Sequence, residues 1–100
     1  MIYLFYGENE FEKRQAIAKL IGNEKAARHD GEDLTLAGMQ EIAIGQTLFM
    51  NSSVYLISKL GENSEVWSQL PDMKFDDDRT IILVEDKIDK RTKTYKWLQK

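Results

Sequence analysis

The sequence predicts an α/β domain of three layers, α/β/α, in which the central sheet is mainly parallel. Three apolar runs, residues 2–6, 54–57 and 80–84, are continuous rather than alternating. This pattern is typical of strands that are buried on both faces of a parallel sheet. Between these runs the apolar residues recur at helical spacing. The order β-α-β-α-β-α-β-α within 100 residues, without an internal repeat, indicates a single domain over residues 1–100.

The first strand and the first helix open the predicted fold. The strand covers Ile2–Tyr6 and ends at Gly7. The helix follows as far as Gly22, a typical C-cap, and its apolar residues are Phe11, Ala16, Ile17, Leu20 and Ile21. Its predicted N-terminus is acidic, as the helix dipole favours, through Glu8, Glu10 and Glu12.

A short edge strand is predicted at residues 26–29, just before the turn signal Asp30-Gly31. A second helix, capped by Asp33 or Thr35, follows it. This helix ends at Gly45, and its apolar side carries Leu36, Met39, Ile42 and Ala43.

The second half of the chain repeats this alternation. After the strand at 54–57, a helix at 63–70 stops before Pro71 and turns Val66, Trp67 and Leu70 inward. The three aspartates at 76–78 read as a solvated turn before the strand at 80–84. A charged turn at 87–91 leads into a last helix at 92–100, which is expected to bury Tyr95 and Leu98.

Composition excludes several classes of function. The chain has no cysteine and one histidine, His29, so thiolate chemistry, cysteine-based zinc sites and multi-histidine metal sites within it are excluded. A net charge of −3 argues against the whole domain being a nucleic-acid clamp. The apolar N-terminus lacks the basic segment of a signal peptide, and no run approaches the ~20 apolar residues of a membrane helix. We therefore expect a soluble cytoplasmic protein that does not bind membranes.

The connector between the second helix and the third strand is unusually apolar. It places Leu48 beside Phe49, followed by Met50, where a short loop should be polar. Such a pair is either the end of the core or part of an interface. The residue types alone favour the core.

The junction at Gly7 lies where a phosphate-binding loop would occur, between a strand and a helix. Aligning GxxxxGK[ST] on Gly7 puts Lys13 at the lysine position. However, Glu12 replaces the second glycine and Arg14 replaces the hydroxyl that would bind magnesium. The neighbouring glutamates would repel phosphate. The sequence therefore predicts a degenerate phosphate loop without nucleotide chemistry.

Two alternative functions remain open. Glu85 and Asp86 follow an apolar strand, as in a Walker B motif, so a nucleotide-binding ATPase domain of the P-loop type would use them with Lys13. Acidic residues are also common at strand ends, which is the simpler explanation. The second alternative is a nucleic-acid contact through the basic C-terminal residues, although a solvated helix face is simpler there too: Lys87, Lys90, Arg91, Lys93, Lys96 and Lys100.

Four motifs in register resemble the bacterial DNA polymerase III delta subunit. Residues 2–11 resemble the opening IYLLYGEDEF of that family, and residues 30–34 resemble its acidic turn. Thr47-Leu48-Phe49 is similar to its SLF or PLF element. Residues 86–98 resemble its DKLDKRxKxYKxL stretch. The resemblance covers nearly the whole chain.

The resemblance implies a domain of the AAA+ fold that has lost its nucleotide site and needs no cofactor. In the family this domain belongs to the clamp loader of the DNA polymerase holoenzyme, and sister subunits hydrolyse ATP. Its Leu-Phe element inserts into a hydrophobic pocket of the sliding clamp, the beta subunit, during DNA replication. The resemblance thus assigns clamp binding to Leu48 and Phe49, flanked by Gln46, Thr47 and Met50. Contacts with other clamp-loader subunits would be made by the full-length protein, and DNA contact by this domain would be weak.

The sequence departs from the family pattern at the connector. The family often has a small residue and an arginine after the Leu-Phe pair, where this chain has Met50-Asn51-Ser52-Ser53. Gln46 stands where the family sometimes has an apolar residue. The family also continues into a fifth strand, a lid domain and a collar domain, which we expect to be absent from this chain. If the family's strand order holds, the outer edge of the first strand is unpaired.

Overall fold

The computed structural model describes residues 2–22, 26–44, 54–76 and 79–99. In these ranges, strands and α-helices alternate in the predicted order. The elements are β1 (Ile2–Tyr6), α1 (Glu10–Ile21), β2 (Ala26–Asp30), α2 (Leu36–Ile44), β3 (Val54–Ser58), α3 (Ser64–Gln69), β4 (Thr80–Glu85) and α4 (Lys93–Leu98). Short 3-10 turns lie at Gly31–Asp33, Leu60–Glu62 and Leu70–Asp72. The predicted α/β class is confirmed.

The four strands form one parallel sheet in the order β1-β4-β3-β2. Leu4 of β1 is opposite Leu83 of β4, and Leu56 of β3 is opposite Ile82 of β4. The two central strands, β3 and β4, are therefore the most buried. β2 lies at one edge, as predicted. β1 lies at the other, and no described strand pairs with its outer side.

The strand order explains how the helices are distributed between the two faces. The connection through α1 crosses from β1 to the far edge, whereas the next two connections return one strand at a time. Because parallel crossovers are right-handed, α1 lies on one face and α2 and α3 lie on the other. The core agrees with this arrangement, since Ile17 of α1 packs with Leu56 and Ile82. The opposite cluster joins the other helices to the sheet through Met39, Ile42, Tyr55, Ile57, Val66, Trp67, Ile81 and Leu83, with Trp97 and Leu98 of α4 against it.

Each helix begins at a side-chain cap that satisfies a free backbone N–H group. Asn9 accepts from the N–H of Glu12 at 3.0 Å, so α1 starts at Glu10 rather than Glu8. Thr35, not Asp33, caps α2 by accepting from the N–H of Gly38 at 3.0 Å. Asn63 and Thr92 play the same part for α3 and α4.

The burial of side chains on two helices differs in detail from the apolar pattern of the sequence. Phe11 is 70% exposed, because it lies six residues before Ile17 and so points away from the stripe formed by positions 13, 17, 20 and 21. In α4 the fully buried side chain is Thr94, whereas Tyr95 and Leu98 are only half-buried. Thr94 can be buried because its hydroxyl donates to the carbonyl of Trp67.

The turns that follow β2 and β3 touch through their backbones. A Cβ atom at Gly31 would lie 2.5 Å from Leu60 Cα and 2.7 Å from the carbonyl oxygen of Ser58. The side-chain amide of Asn63 joins the same turns by donating to the carbonyls of Gly31 at 2.9 Å and Leu34 at 2.8 Å. This contact fixes the carboxyl ends of the two strands relative to each other.

Candidate functional site

The candidate site lies where the carboxyl ends of β1 and β4 meet. These strands are neighbours, but β1 leads to α1 on one face of the sheet and β4 leads to α4 on the other. Ligands of open parallel sheets bind at such a switch in chain direction. Both halves of the nucleotide hypothesis, the loop after Gly7 and the acids at Glu85 and Asp86, meet at this point.

The loop after β1 is too short to enclose a phosphate. Gly7 has a φ of +124°, which a side chain would disfavour, and α1 begins only three residues later, at Glu10. Residues 10–13 are therefore helical. The N–H of Glu12 is taken by the Asn9 side chain, and the N–H of Lys13 donates to the Asn9 carbonyl at 3.1 Å. Amides that a phosphate loop would present to its ligand are used within the protein.

Lys13 occupies a buried position because it continues the apolar stripe of α1 one turn before Ile17. Its side chain is only 7% exposed. The ammonium nitrogen lies 3.1 Å from Glu10 Oε1, 3.1 Å from Asp86 Oδ1 and 3.2 Å from the carbonyl oxygen of Glu85. An ammonium group has three protons to donate, and each of them has a protein acceptor here.

The charges at this point stabilise one another. Burial lowers the pKa of Lys13, but hydrogen bonds to Asp86 and Glu10 outweigh it and hold the pKa above its usual value. The hydrogen bond from Lys13 in turn lowers the pKa of Asp86, which stays ionised. Lys13 and Asp86 thus form a charge-assisted link between α1 and the end of β4.

Glu85 contacts different groups from its neighbour Asp86. Its side chain is 3% exposed, and its Oε1 accepts from the N–H of Gly61 at 3.1 Å. Its Oε2 is buried and has no hydrogen-bond partner among the residues that the structure describes. Burial raises the pKa of Glu85 to about 7, although the N–H groups of Gly61 and Leu60 lower it. Glu85 and Asp86 therefore contact different protein groups in this structure.

The residues predicted to form the degenerate phosphate loop do not converge. Gly7 lies in the loop, Lys13 is buried, and Glu12 is exposed on α1. Arg14 lines a groove of about 810 Å³ between α1 and the edge strand β2, with Arg28 and Lys59 on the other side. The four aligned positions thus have separate environments.

The connector that carries the predicted clamp-binding element lies outside the described residues. This applies to Gln46, Thr47, Leu48, Phe49 and Met50, so the structure gives neither their exposure nor their contacts. The elements that flank it are described, namely α2, which ends at Ile44, and β3, which begins at Val54. The described chain thus resumes at the amino end of a central strand, whereas Lys13 lies beside the carboxyl ends of β1 and β4.

The basic side chains of the C-terminal end are solvent-exposed within its described part, residues 87–99. The side chains of Lys87, Lys90, Arg91, Lys93 and Lys96 are all exposed, and Lys100 lies outside the described residues. Arg91 binds Asp89 through two hydrogen bonds of 3.1 and 3.2 Å, which lower the pKa of Asp89.

An aromatic contact at this end was not predicted. Tyr6 and Tyr95 share a hydrogen bond of 3.1 Å between their hydroxyl groups, with their rings edge-to-face at 6.0 Å. The ammonium of Lys90 lies 5.5 Å from the centre of the Tyr6 ring. The residues are 89 positions apart in the chain, so only the pairing of β1 with β4 brings them together.

No group of three or more histidine, aspartate or glutamate side chains in the described ranges could hold a metal ion. His29, on the edge strand as predicted, stacks on Tyr55 with ring centres 6.2 Å apart. No helix of the described part is long and apolar enough to cross a membrane.

Comparison with known proteins adds no relative, since no family model, curated protein or solved structure matches this chain.

Proposed function

We propose that this chain is a non-catalytic domain of the clamp-loader type, which binds a bacterial sliding clamp through Leu48 and Phe49. The resemblance of Thr47-Leu48-Phe49 and three further motifs to the DNA polymerase III delta subunit carries the proposal. The same proposal includes the AAA+ type of fold, a place beside other clamp-loader subunits and a cytoplasmic location in the replisome.

The state of Lys13 supports a non-catalytic role. A P-loop ATPase needs its lysine free to reach the β- and γ-phosphates. Here the ammonium already has three protein acceptors, and the segment that would form the loop is helical. We therefore favour clamp binding over the ATPase alternative with Lys13, Glu85 and Asp86.

The chemistry of the Leu-Phe pair suits an interface anchor. Complete burial of both side chains would contribute roughly 3–6 kcal/mol before the cost of association. Large apolar anchors of this kind dominate small interfaces when they fill a pocket on the partner.

Binding to an immobilised bacterial sliding clamp tests the proposal. We expect Leu48→Ala/Phe49→Ala to weaken binding at least ~30-fold, which corresponds to about 2 kcal/mol. Phe11→Ala is the matched control, because Phe11 is a large apolar side chain that is 70% exposed at another place. The control should bind like the wild type. Equal binding by the double variant and the wild type, with both shown to be folded by circular dichroism, would contradict the role of the pair.

A further inference from the structure

The charges of this chain are strongly segregated along its length. Residues 1–86 contain sixteen acidic and eight basic residues, whereas residues 87–99 contain one acidic and five basic residues. The one acidic residue of that segment, Asp89, is neutralised by Arg91 through the two hydrogen bonds described above. A protein of net charge −3 therefore presents a locally cationic surface, which attracts polyanions.

This cationic segment forms one wall of a pocket of about 520 Å³, and α3 forms the other. Small-ligand pockets typically have volumes of ~300–1,000 Å³. The lining combines apolar groups, hydroxyl groups and two ammonium groups, supplied by Trp67, Ile88, Ser64, Ser68, Lys87 and Lys93. It also includes the carboxylate of Asp89, whose charge is balanced by Arg91. We call it the α3–α4 pocket.

Two hydrogen bonds connect the two walls of the α3–α4 pocket, α3 and the start of α4. The indole N–H of Trp67 donates to Thr92 Oγ1 at 3.3 Å, and the hydroxyl of Thr94 donates to the carbonyl of Trp67. Thr94 is 1% exposed, so this second bond is shielded from water. Both hydrogen bonds involve Trp67, and they join α3 to the start of α4.

The two lysines of the α3–α4 pocket are available to a ligand. Both are exposed, and neither Lys87 nor Lys93 forms an ion pair within the described residues. By contrast, Lys13 and Arg91 have carboxylate partners. An anionic group between Lys87 and Lys93 would therefore displace no existing contact.

We propose that the α3–α4 pocket binds one nucleotide of a single-stranded nucleic acid. Its base lies against Ile88 and the small part of Trp67 that is exposed in the pocket, since Trp67 is 5% exposed. Its phosphates lie beside Lys87 and Lys93, and the other basic side chains of the segment contact the rest of the nucleic-acid strand. A single strand fits better than a duplex, because the bases of a duplex are stacked inside and cannot enter a pocket. It also fits better than an acidic peptide, whose carboxylates carry no planar apolar group to fill the cavity. The residues that line this pocket are different from Leu48 and Phe49, so separate variants test nucleic-acid binding and clamp binding.

Fluorescence anisotropy of a labelled oligothymidylate of about ten nucleotides tests the proposal with the full chain. We expect Lys87→Ala/Lys93→Ala to weaken binding roughly tenfold and to flatten the salt dependence of log K by about 0.7 per lysine. The control Lys19→Ala/Lys74→Ala removes the same charge from exposed positions elsewhere and should have little effect. Equal losses in the two double variants, or no binding by the wild type, would overturn the proposal.

A second variant tests whether the space in the pocket matters for binding, separately from the charge of its lysines. Ser68→Leu keeps the net charge but places a larger side chain in the α3–α4 pocket, and we expect it to weaken binding severalfold. In a Trp97→Phe background, the oligonucleotide should quench Trp67 fluorescence, and Ser68→Leu should abolish the quenching. If Ser68→Leu leaves both binding and quenching unchanged, the nucleotide does not bind in the α3–α4 pocket, and the proposal is overturned. Binding of polyglutamate but not of the oligonucleotide would show that the surface takes an acidic protein instead, and would also overturn the proposal.

Discussion

The ammonium nitrogen of Lys13 lies 3.1 Å from Asp86 Oδ1, across 73 residues of sequence. This contact joins the first turn of α1 to the residue that follows β4. Parallel α/β sheets usually bind their ligands at a switch in chain direction such as this one. Here the charged side chains at that place bind one another. Three consequences of the structure around this sheet edge can be measured.

Replacing Lys13 should reduce stability without creating or removing nucleotide binding. Lys13→Met keeps the buried aliphatic stem but leaves Glu10 and Asp86 without their cation. Because both carboxylates are more than half exposed, we expect a cost of roughly 1–3 kcal/mol in urea unfolding rather than that of a fully buried pair. Lys19→Met, at an exposed position of the same helix, should change stability little. Protection of the wild type, but not Lys13→Met, by millimolar ATP in thermal unfolding would contradict a closed site.

Glu85 should make the protein less stable as the pH rises through neutrality. Its folded pKa of about 7 exceeds the ordinary value of 4.5, so between these values the folded state keeps a proton that the unfolded state releases. The free energy of unfolding should therefore fall by about 3 kcal/mol from pH 4.5 to pH 8 and then level off. Chemical unfolding at a series of pH values measures this change.

Glu85→Gln removes the titration but keeps an acceptor for the N–H of Gly61. We expect its stability to vary much less between pH 4.5 and 8, so that it exceeds the wild type at pH 8. The exposed Glu65→Gln on α3 is the control and should follow the wild-type profile. If the stability of Glu85→Gln depends on pH in the same way as that of the wild type, Glu85 is not the group that causes this dependence.

Asn63 should be one of the most sensitive polar positions outside the core. It caps α3 and donates to two carbonyls of the turn after β2, so Asn63→Ala should cost roughly 2–4 kcal/mol. Asn9→Ala removes a helix cap alone and should cost about 1 kcal/mol. Asn63→Asp keeps the cap but turns an oxygen toward both carbonyls, so it should be no better than Asn63→Ala. A cost for Asn63→Ala equal to that of Asn9→Ala would mean that the two donated bonds add nothing.

Three of the four described strands were predicted from continuous apolar runs, whereas β2 was predicted as a short edge strand before the turn signal Asp30-Gly31. It also indicated that the phosphate loop was defective, from Glu12 and Arg14. It could not show that Lys13 is buried, since a lysine in a helix is normally taken as exposed; only its spacing from Ile17 carried that information. The contacts of Glu85 with Gly61 and of Tyr6 with Tyr95 depend on strand order, which local patterns do not contain. The exposure of Phe11 follows from its angle around the helix, which its apolar character alone does not give.

The pairing of β1 with β4 also determines when this domain can form during synthesis. Residue 2 is matched to residue 81, so the strand that pairs with β1 in this structure leaves the ribosome long after β1 itself. Meanwhile the run Ile-Tyr-Leu-Phe-Tyr is an uncharged, β-prone segment of the kind that binds to other nascent strands. Long-range pairing of this kind also slows folding. The acidic residues that follow β1, beginning at Glu8, supply charge of the kind that keeps such segments apart.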